Sequence, residues 1–373
     1  MDRKALKFPN DKDPDLIVTL RRRVDEYFTL NKISKNGNAE MYIKTAVMVS
    51  AYTVPYLLMV TGIITNAWLL FLMWVIMGFG MAGIGLCIMH DANHGAYSKN
   101  PRVNKILGYL LNYVGGSAVN WRMQHNVLHH SFTNITGYDE DIAPQENLLR
   151  FSPHKPLYKL HRFQYIYGWF LYSLMTIEWV LWRDFPQLTR YHKMGLTVGS
   201  KKSYASLLTE LIFSKIIYVS YIIVIPLLFT PITWWQFIIF FTTMHLIGGF
   251  LLAIVFQPAH VIPNTEYPLP NEEGKLENNW AIHQFLTTCD FAPRSRIFSW
   301  FVGGLNYQVE HHIFPYICHV HYRKIAGIVK TTVQEYGVPY NVQPTYIQAL
   351  IKHGKMLRDL GRYEKLTLKP VGS

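Results

Sequence analysis

Four long apolar runs interrupt an otherwise polar chain of 373 residues, at roughly Ala46–Ile64, Trp68–Met89, Leu207–Phe229 and Trp234–Phe256. Each is close to the ~20 residues that a helix needs to cross hydrocarbon. The first two are separated only by Thr65-Asn66-Ala67 and the last two by Thr230-Pro231-Ile232-Thr233, with no charge in either turn. The pattern predicts an all-α integral membrane protein with four transmembrane helices arranged as two hairpins. The two short turns then lie on one side, and residues 1–45, 90–206 and 257–373 on the other.

Shorter runs refine this picture. Phe163–Trp182 is aromatic-rich but carries Glu178 and is flanked by Arg162 and Arg183, so it is expected to lie in or half within the interface. Ile106–Val119 is too short to span and is broken by Gly115-Gly116; it is expected to pack in a helical cap. In residues 13–30, Leu16, Leu20, Val24 and Tyr27 recur among charges at helical spacing. This reads as an amphipathic surface helix within an N-terminal segment, 1–45. The membrane domain follows at 46–373, its cap built from 90–206 and 257–373.

Charge then orients the chain. Half the residues are hydrophobic and only 16% are charged, well below the roughly 25% of soluble domains. A net charge of +12 in a soluble chain would suggest nucleic acid, but the distribution points elsewhere. The three long segments carry 10, 13 and 12 Lys and Arg, the third apolar run carries Lys215, and the short turns carry none. The positive-inside rule places both termini and the whole cap on the cytoplasmic face. The charge is therefore membrane topology, and no nucleic-acid partner is expected. Residues 1–45 lack an apolar stretch of the signal-peptide kind. Cys87, Cys289 and Cys318 are far apart with no CxxC pair, which argues against a disulfide framework or a thiolate zinc site.

Eight of the 16 histidines carry the chemistry. They form three clusters, His90-Asp91-Ala92-Asn93-His94, His125-Asn126-Val127-Leu128-His129-His130 and Gln308-Val309-Glu310-His311-His312, with His260 alone just after the fourth run. On an α-helix, His90/His94 and His125/His129 each share a face, while His130 points about 100° away. One helix can thus serve two metals. Gln308, His311 and His312 offer the same geometry with an amide in the first position. Eight imidazoles exceed the three or four ligands of one zinc site, so a pair of metals is expected; imidazole alone leaves iron, copper, zinc and nickel open. Asp91, Asn126, Asp139, Asp141 and Glu310 are candidates for holding the ring N–H groups. His154, His161, His192 and His353 are read as core or interface residues, and His283, His319 and His321 as structural or supporting. His245, inside the fourth run, either hydrogen-bonds within the bundle or approaches the site.

These boxes resemble those of the membrane fatty-acid desaturases, non-haem di-iron enzymes. The front-end branch is most similar: its third box begins with glutamine, as Gln308 does here, and it shares the run from His125 to Asn134 followed by Gly137, Asp139 and Asp141. The resemblance covers roughly Tyr42 to Val329. It implies two iron ions held by His90, His94, His125, His129, His130, His260, His311 and His312, with Gln308 standing where other branches have a histidine. It also implies dioxygen as co-substrate and an acyl-CoA or acyl-lipid substrate. The reaction would remove two hydrogens from adjacent methylenes to give a cis double bond and two waters. Many front-end members carry an N-terminal cytochrome domain with a His-Pro-Gly-Gly motif. Residues 1–45 hold no histidine, so electrons are expected from a separate ferredoxin or cytochrome, which favours a bacterial inner membrane over the endoplasmic reticulum. Trp121, Trp280, Trp300 and Tyr307 are candidates for lining an acyl tunnel, and Arg122, Lys155 and Arg294 are candidate substrate contacts for meeting a headgroup phosphate. The alternatives are a hydroxylase or sphingolipid desaturase on the same scaffold and, more remotely, a divalent-metal transporter.

Overall fold

The computed structural model describes residues 6–9, 14–142, 147–198 and 202–363. It is mostly helical, with one two-residue parallel pairing of Asp290–Phe291 with Val342–Gln343. That pairing departs from a purely helical expectation. It arises because residues 340–343 run extended, which brings Tyr340 to Asp290.

Among the described residues, four helices are long and apolar enough to cross a membrane: Ala39–Val60, Ala67–Asn93, Tyr204–Phe229 and Trp234–His260. They contain most of the four apolar runs, with shifted ends. The first starts earlier because the Asn38 side chain accepts a hydrogen bond from the Met41 amide, a helix N-cap. The second continues beyond Met89 and carries His90. The fourth includes Pro258 and ends on His260. His260 is therefore part of the spanning helix, not of a loop after it.

The described chain divides into two compact units. Residues 37–123 and 169–254 form one. In it the helices Ala39–Val60 and Ala67–Asn93 pack along each other. A Cβ on Gly80 would lie 2.6 Å from the Tyr52 amide nitrogen, so this close crossing needs the missing side chain. Trp74 meets Phe237 edge-on at 5.7 Å between ring centroids. The lysine inside the third span is fully bonded. Lys215 Nζ donates to Asp184 Oδ2 at 2.6 Å, the Gly115 carbonyl at 2.6 Å and the Trp179 carbonyl at 2.7 Å. His245 is likewise a bundle residue, with Nε2 2.9 Å from the Tyr218 hydroxyl and Nδ1 3.1 Å from Thr176 Oγ1. The segment from 159 to 193 is a chain of short helical pieces, none of them long enough to span.

The second unit comprises residues up to 36, 124–168 and from 255 onward. Its apolar core is assembled from the helices Pro14–Leu30, Trp280–Thr287, Gln308–Ile313 and Tyr322–Glu335. Leu16, Leu20, Val24 and Phe28 recur every fourth residue and are at most 4% exposed. They are buried in this core, where each large apolar side chain contributes roughly 1.5–3 kcal/mol. The sequence suggested a surface helix; the partner helix, about 300 residues away in the chain, explains why local periodicity alone did not reveal its burial.

Candidate metal centre

The winding of the second histidine box decides the geometry. Residues Arg122–His129 form a π-helix, in which i→i+5 hydrogen bonds bring residues five apart onto one face. The α spacing would group His125 with His129. The π winding instead groups His125 with His130, whose Nε2 atoms lie 3.3 Å apart. His311 joins them, its Nε2 3.0 Å from that of His130 and 3.4 Å from that of His125.

His129 stacks on His125, with centroids 5.2 Å apart, and lies within reach of a further pair of imidazoles. With His260 and His312 it forms a second buried group whose ligand atoms all lie within 4.8 Å of one another. The ring centroids of this trio are 4.7 to 4.9 Å apart. The short helix Gln308–Ile313 serves both groups through His311 and His312, whose ligand atoms also lie within 4.8 Å of one another and of His130. His312 also stacks on His130, with centroids 4.5 Å apart.

The opposite ring nitrogens show what these clusters fit. His125 Nδ1 lies 2.8 Å from Asp141 Oδ2 and His129 Nδ1 3.0 Å from Asp139 Oδ2. His312 Nδ1 lies 2.8 Å from Gln284 Oε1, and His260 Nδ1 3.2 Å from the Thr287 carbonyl. All four partners are acceptors, so each Nδ1 carries the proton and each Nε2 presents a lone pair. The Nε2 atoms of His129 and His260 are buried and make no hydrogen bond among the described residues. Converging lone pairs in a dry site repel one another unless a cation sits between them. The carboxylates favour that cation. Burial opposes charge on His129, yet Asp139 and Asp141 outweigh it and raise its pKa above the ordinary histidine value. The donor set therefore fits metal ions bound through imidazole Nε2.

Several supports were not legible from spacing. Gln284 ties two boxes together: its Nε2 donates to the His130 carbonyl at 3.1 Å while its Oε1 accepts from His312. Asn134, at φ 60, donates from Nδ2 to the carbonyls of His260 and Glu266, and its amide to Asp139. The Tyr322 hydroxyl is 3.3 Å from His311 Nδ1. Neighbouring His283 donates to the Thr133 carbonyl. Trp280 and His283 were the signals for that helix, and neither pointed to Gln284.

Glu310 departs from expectation. Its Oε1 lies 2.9 Å from the Tyr340 hydroxyl, which is also 2.6 Å from Asp290 Oδ2. One hydroxyl has one proton to give, so one of the two carboxyls must carry its own. Burial raises Asp290 to about 6 and, with Asp290 beside it, lifts Glu310 well above the usual carboxylate range. Glu310 is thus paired through Tyr340 with Asp290, one carboxyl proton being shared between the two. Gln308 is fully buried, with its side chain interacting with His260. Asn126 is half-buried on the π turn.

In the other unit, His90 and His94 lie 4.9 Å apart between centroids, each edge-on to Trp121 at 5.4 and 5.6 Å. Asp91 is buried, with Oδ1 3.7 Å from His90 Nδ1. Arg122 Nη1 donates to Asn93 Oδ1 at 2.9 Å. Of the remaining tunnel candidates, Trp280 donates its Nε1–H to the His130 carbonyl and Tyr307 its hydroxyl to the Pro293 carbonyl. Trp300 stacks edge-on to Phe301, and Arg294 is exposed. His154, His161, His192, His321 and His353 are each satisfied by a backbone or hydroxyl partner away from the boxes.

Residues 66–344 match the family model described as fatty acid desaturase. The chain belongs to the fatty acid desaturase family. It is 36% identical to an sn-1 linoleoyl-lipid 6-desaturase of Arthrospira platensis, over 91% of both chains. It is 34% identical to the protein of that name from Synechocystis sp., over 92% of this chain and 94% of that one. An acyl-lipid (8-3)-desaturase of Physcomitrium patens is 34% identical over 96% of this chain and 74% of its own. This chain is accordingly a fatty-acid desaturase, an oxidoreductase of lipid metabolism with membrane-spanning helices.

Proposed function

We propose that this desaturase is a front-end enzyme acting on acyl chains carried by membrane lipid. Dioxygen, two electrons and two protons would convert one –CH2–CH2– pair into a cis –CH=CH– bond, with two waters as the other product. The observation that carries this reading is the set of imidazoles whose Nδ1 atoms are held by acceptors while their Nε2 atoms converge. The names of the similar proteins, two linoleoyl-lipid desaturases and an acyl-lipid desaturase, favour a lipid carrier over a coenzyme A thioester. Gln308 at the head of the third box supports the front-end assignment.

Two iron ions, bound by His90, His94, His125, His129, His130, His260, His311 and His312 with Gln308 alongside, would supply the oxidising chemistry. The protein's share is positioning. Asp139, Asp141, Gln284 and the Thr287 carbonyl hold the ring N–H groups, and so fix which lone pair faces inward. Complete burial of His129, His260, His312 and Gln308 keeps water from the site. Trp121 and Arg122, beside His90 and His94, are proposed to meet the substrate. Trp280 and Tyr307, their polar groups spent on backbone, are proposed as apolar walls. The four spans are read as two hairpins under a cytoplasmic cap, with both termini on that face, supported by the absence of Lys and Arg from the short turns. An electron-carrier protein, a ferredoxin or cytochrome, is proposed as the reductant, and a bacterial inner membrane is proposed as the setting, with the endoplasmic reticulum as the alternative.

The test is the lipid profile of a host expressing the chain with a donor supplied, with double bonds located by mass spectrometry. A new bond toward the carboxyl end, absent with His311→Ala, supports the reading. A hydroxylated product, or no product with working donors, overturns it.

A further inference from the structure

Away from the histidines, a second feature of the unit containing residues 124–168 is built with unusual care. Arg150 is 1% exposed and spends its guanidinium on four carbonyls: Lys155 at 2.8 Å, Pro153 at 2.6 Å, Leu360 at 2.5 Å and Tyr363 at 2.9 Å. Gln164, fully buried, donates to the carbonyls of Arg150 and Leu357 and accepts from the Arg150 amide. These two side chains lock residues 150–164 against the end of helix Tyr346–Leu360. Gly361 completes the join, since a Cβ there would collide with the His161 carbonyl.

What this framework holds in place is an open concavity of about 790 Å³ lined by Leu157, Tyr158, Lys159, Arg162, Phe163, Gly361 and Arg362. Among the described residues three cations and no acid line it, and all three cations are exposed. Arg362 lies over the Tyr165 ring at 5.6 Å. Large apolar side chains beside it are also exposed: Leu160 at 50%, Phe163 at 54% and Ile166 at 60%. Exposed aromatics and aliphatics interleaved with Lys and Arg form the composition of a segment lying in the lipid interface, where cations meet headgroup phosphates and apolar groups enter the acyl boundary.

We propose that this concavity binds the headgroup of an anionic membrane phospholipid, with Lys159, Arg162 and Arg362 around the phosphate and Leu160, Phe163 and Ile166 in the acyl layer. Complementary charge selects this occupant, and the rigid rim distinguishes the site from a diffuse basic surface. The lipid is bound there, not transformed, and the proposal does not depend on which acyl chain the enzyme desaturates.

The test is native mass spectrometry of the full chain released from nanodiscs of mixed phosphatidylglycerol and phosphatidylcholine. A variant combining Lys159→Gln, Arg162→Gln and Arg362→Gln is compared with one combining Arg323→Gln, Lys324→Gln and Lys330→Gln on helix Tyr322–Glu335, which removes equal charge elsewhere. Each cation near an anionic lipid is worth about fivefold in binding, so phosphatidylglycerol retention is expected to fall by at least about tenfold in the first variant and less than about twofold in the second. The charge-preserving set Lys159→Arg, Arg162→Lys and Arg362→Lys is expected to retain the lipid, which separates loss of binding from loss of fold. Equal retention in both charge-removing variants, equal loss in both, or displacement of phosphatidylglycerol by excess inorganic phosphate overturns the proposal.

Discussion

His129 Nδ1 lies 3.0 Å from Asp139 Oδ2, and neither side chain is measurably exposed. The same carboxylate also accepts from the Asn134 amide, so it is fixed before it fixes the imidazole. A ring held this way has no freedom to exchange its tautomer or to swing its Nε2 from the cluster. Asp139→Asn removes the charge that favours a cation and weakens the acceptor. The expected result is a 10- to 100-fold loss of metal affinity and turnover, roughly the usual range for such partners, with membrane insertion unchanged. Iron titration of the purified variant checks it.

Glu310 gives the opposite expectation. Because burial and Asp290 hold its carboxyl in the protonated range, Glu310→Gln preserves a neutral side chain of the same shape beside Tyr340. Turnover is expected to stay within a few-fold of the parent, as for other exchanges that leave no buried group unpaired. A loss as complete as that of a histidine variant, measured in the same lipid assay, would make Glu310 a metal ligand.

Lys215 and Asp184 form a buried ion pair at 2.6 Å inside the helical bundle. Lys215→Met leaves Asp184 buried without its main partner and is expected to cost about 3–5 kcal/mol. Combining it with Asp184→Leu removes the stranded charge and is expected to recover most of that loss. Thermal unfolding in detergent distinguishes the two.

His353 supplies a pH dependence. It is fully buried with Nδ1 2.8 Å from the Val261 carbonyl, and burial lowers its pKa from 6.5 to about 4. The unfolded chain therefore binds the proton first as pH falls. The stabilisation from keeping this ring neutral is fully present above pH 6.5 and disappears between pH 6.5 and about 4, a contribution of about 3 kcal/mol. His353→Gln should flatten the fall in unfolding temperature across that window; an unchanged slope would contradict it.

Much of this site was visible in the chain itself. The four apolar runs lie in four long apolar helices, and the boxes beside them supply the buried imidazoles. What spacing could not convey was the winding. An α-helix groups His125 with His129, and those rings do stack at 5.2 Å; the π turn in addition brings His130 to His125, while His129 also meets His260 and His312. Tertiary partners were equally hidden. Gln284 and Tyr322 reach their histidines from elements 28 and 11 residues away in sequence, with no motif to mark them. The apolar stripe of helix Pro14–Leu30 found its cover about 300 residues downstream. Asp139 and Asp141 were recoverable because they follow the second box closely; Glu310, adjacent to its histidines in sequence, faces away from them toward Asp290 and Tyr340.

The most direct test is the metal content of the purified chain, measured by inductively coupled plasma mass spectrometry alongside variants of each cluster. Two irons per chain are expected in the parent, with iron and turnover lost in both His129→Ala and His311→Ala while insertion persists. One metal per chain, a predominance of zinc, or two irons retained in both variants would contradict a paired iron site built from these imidazoles.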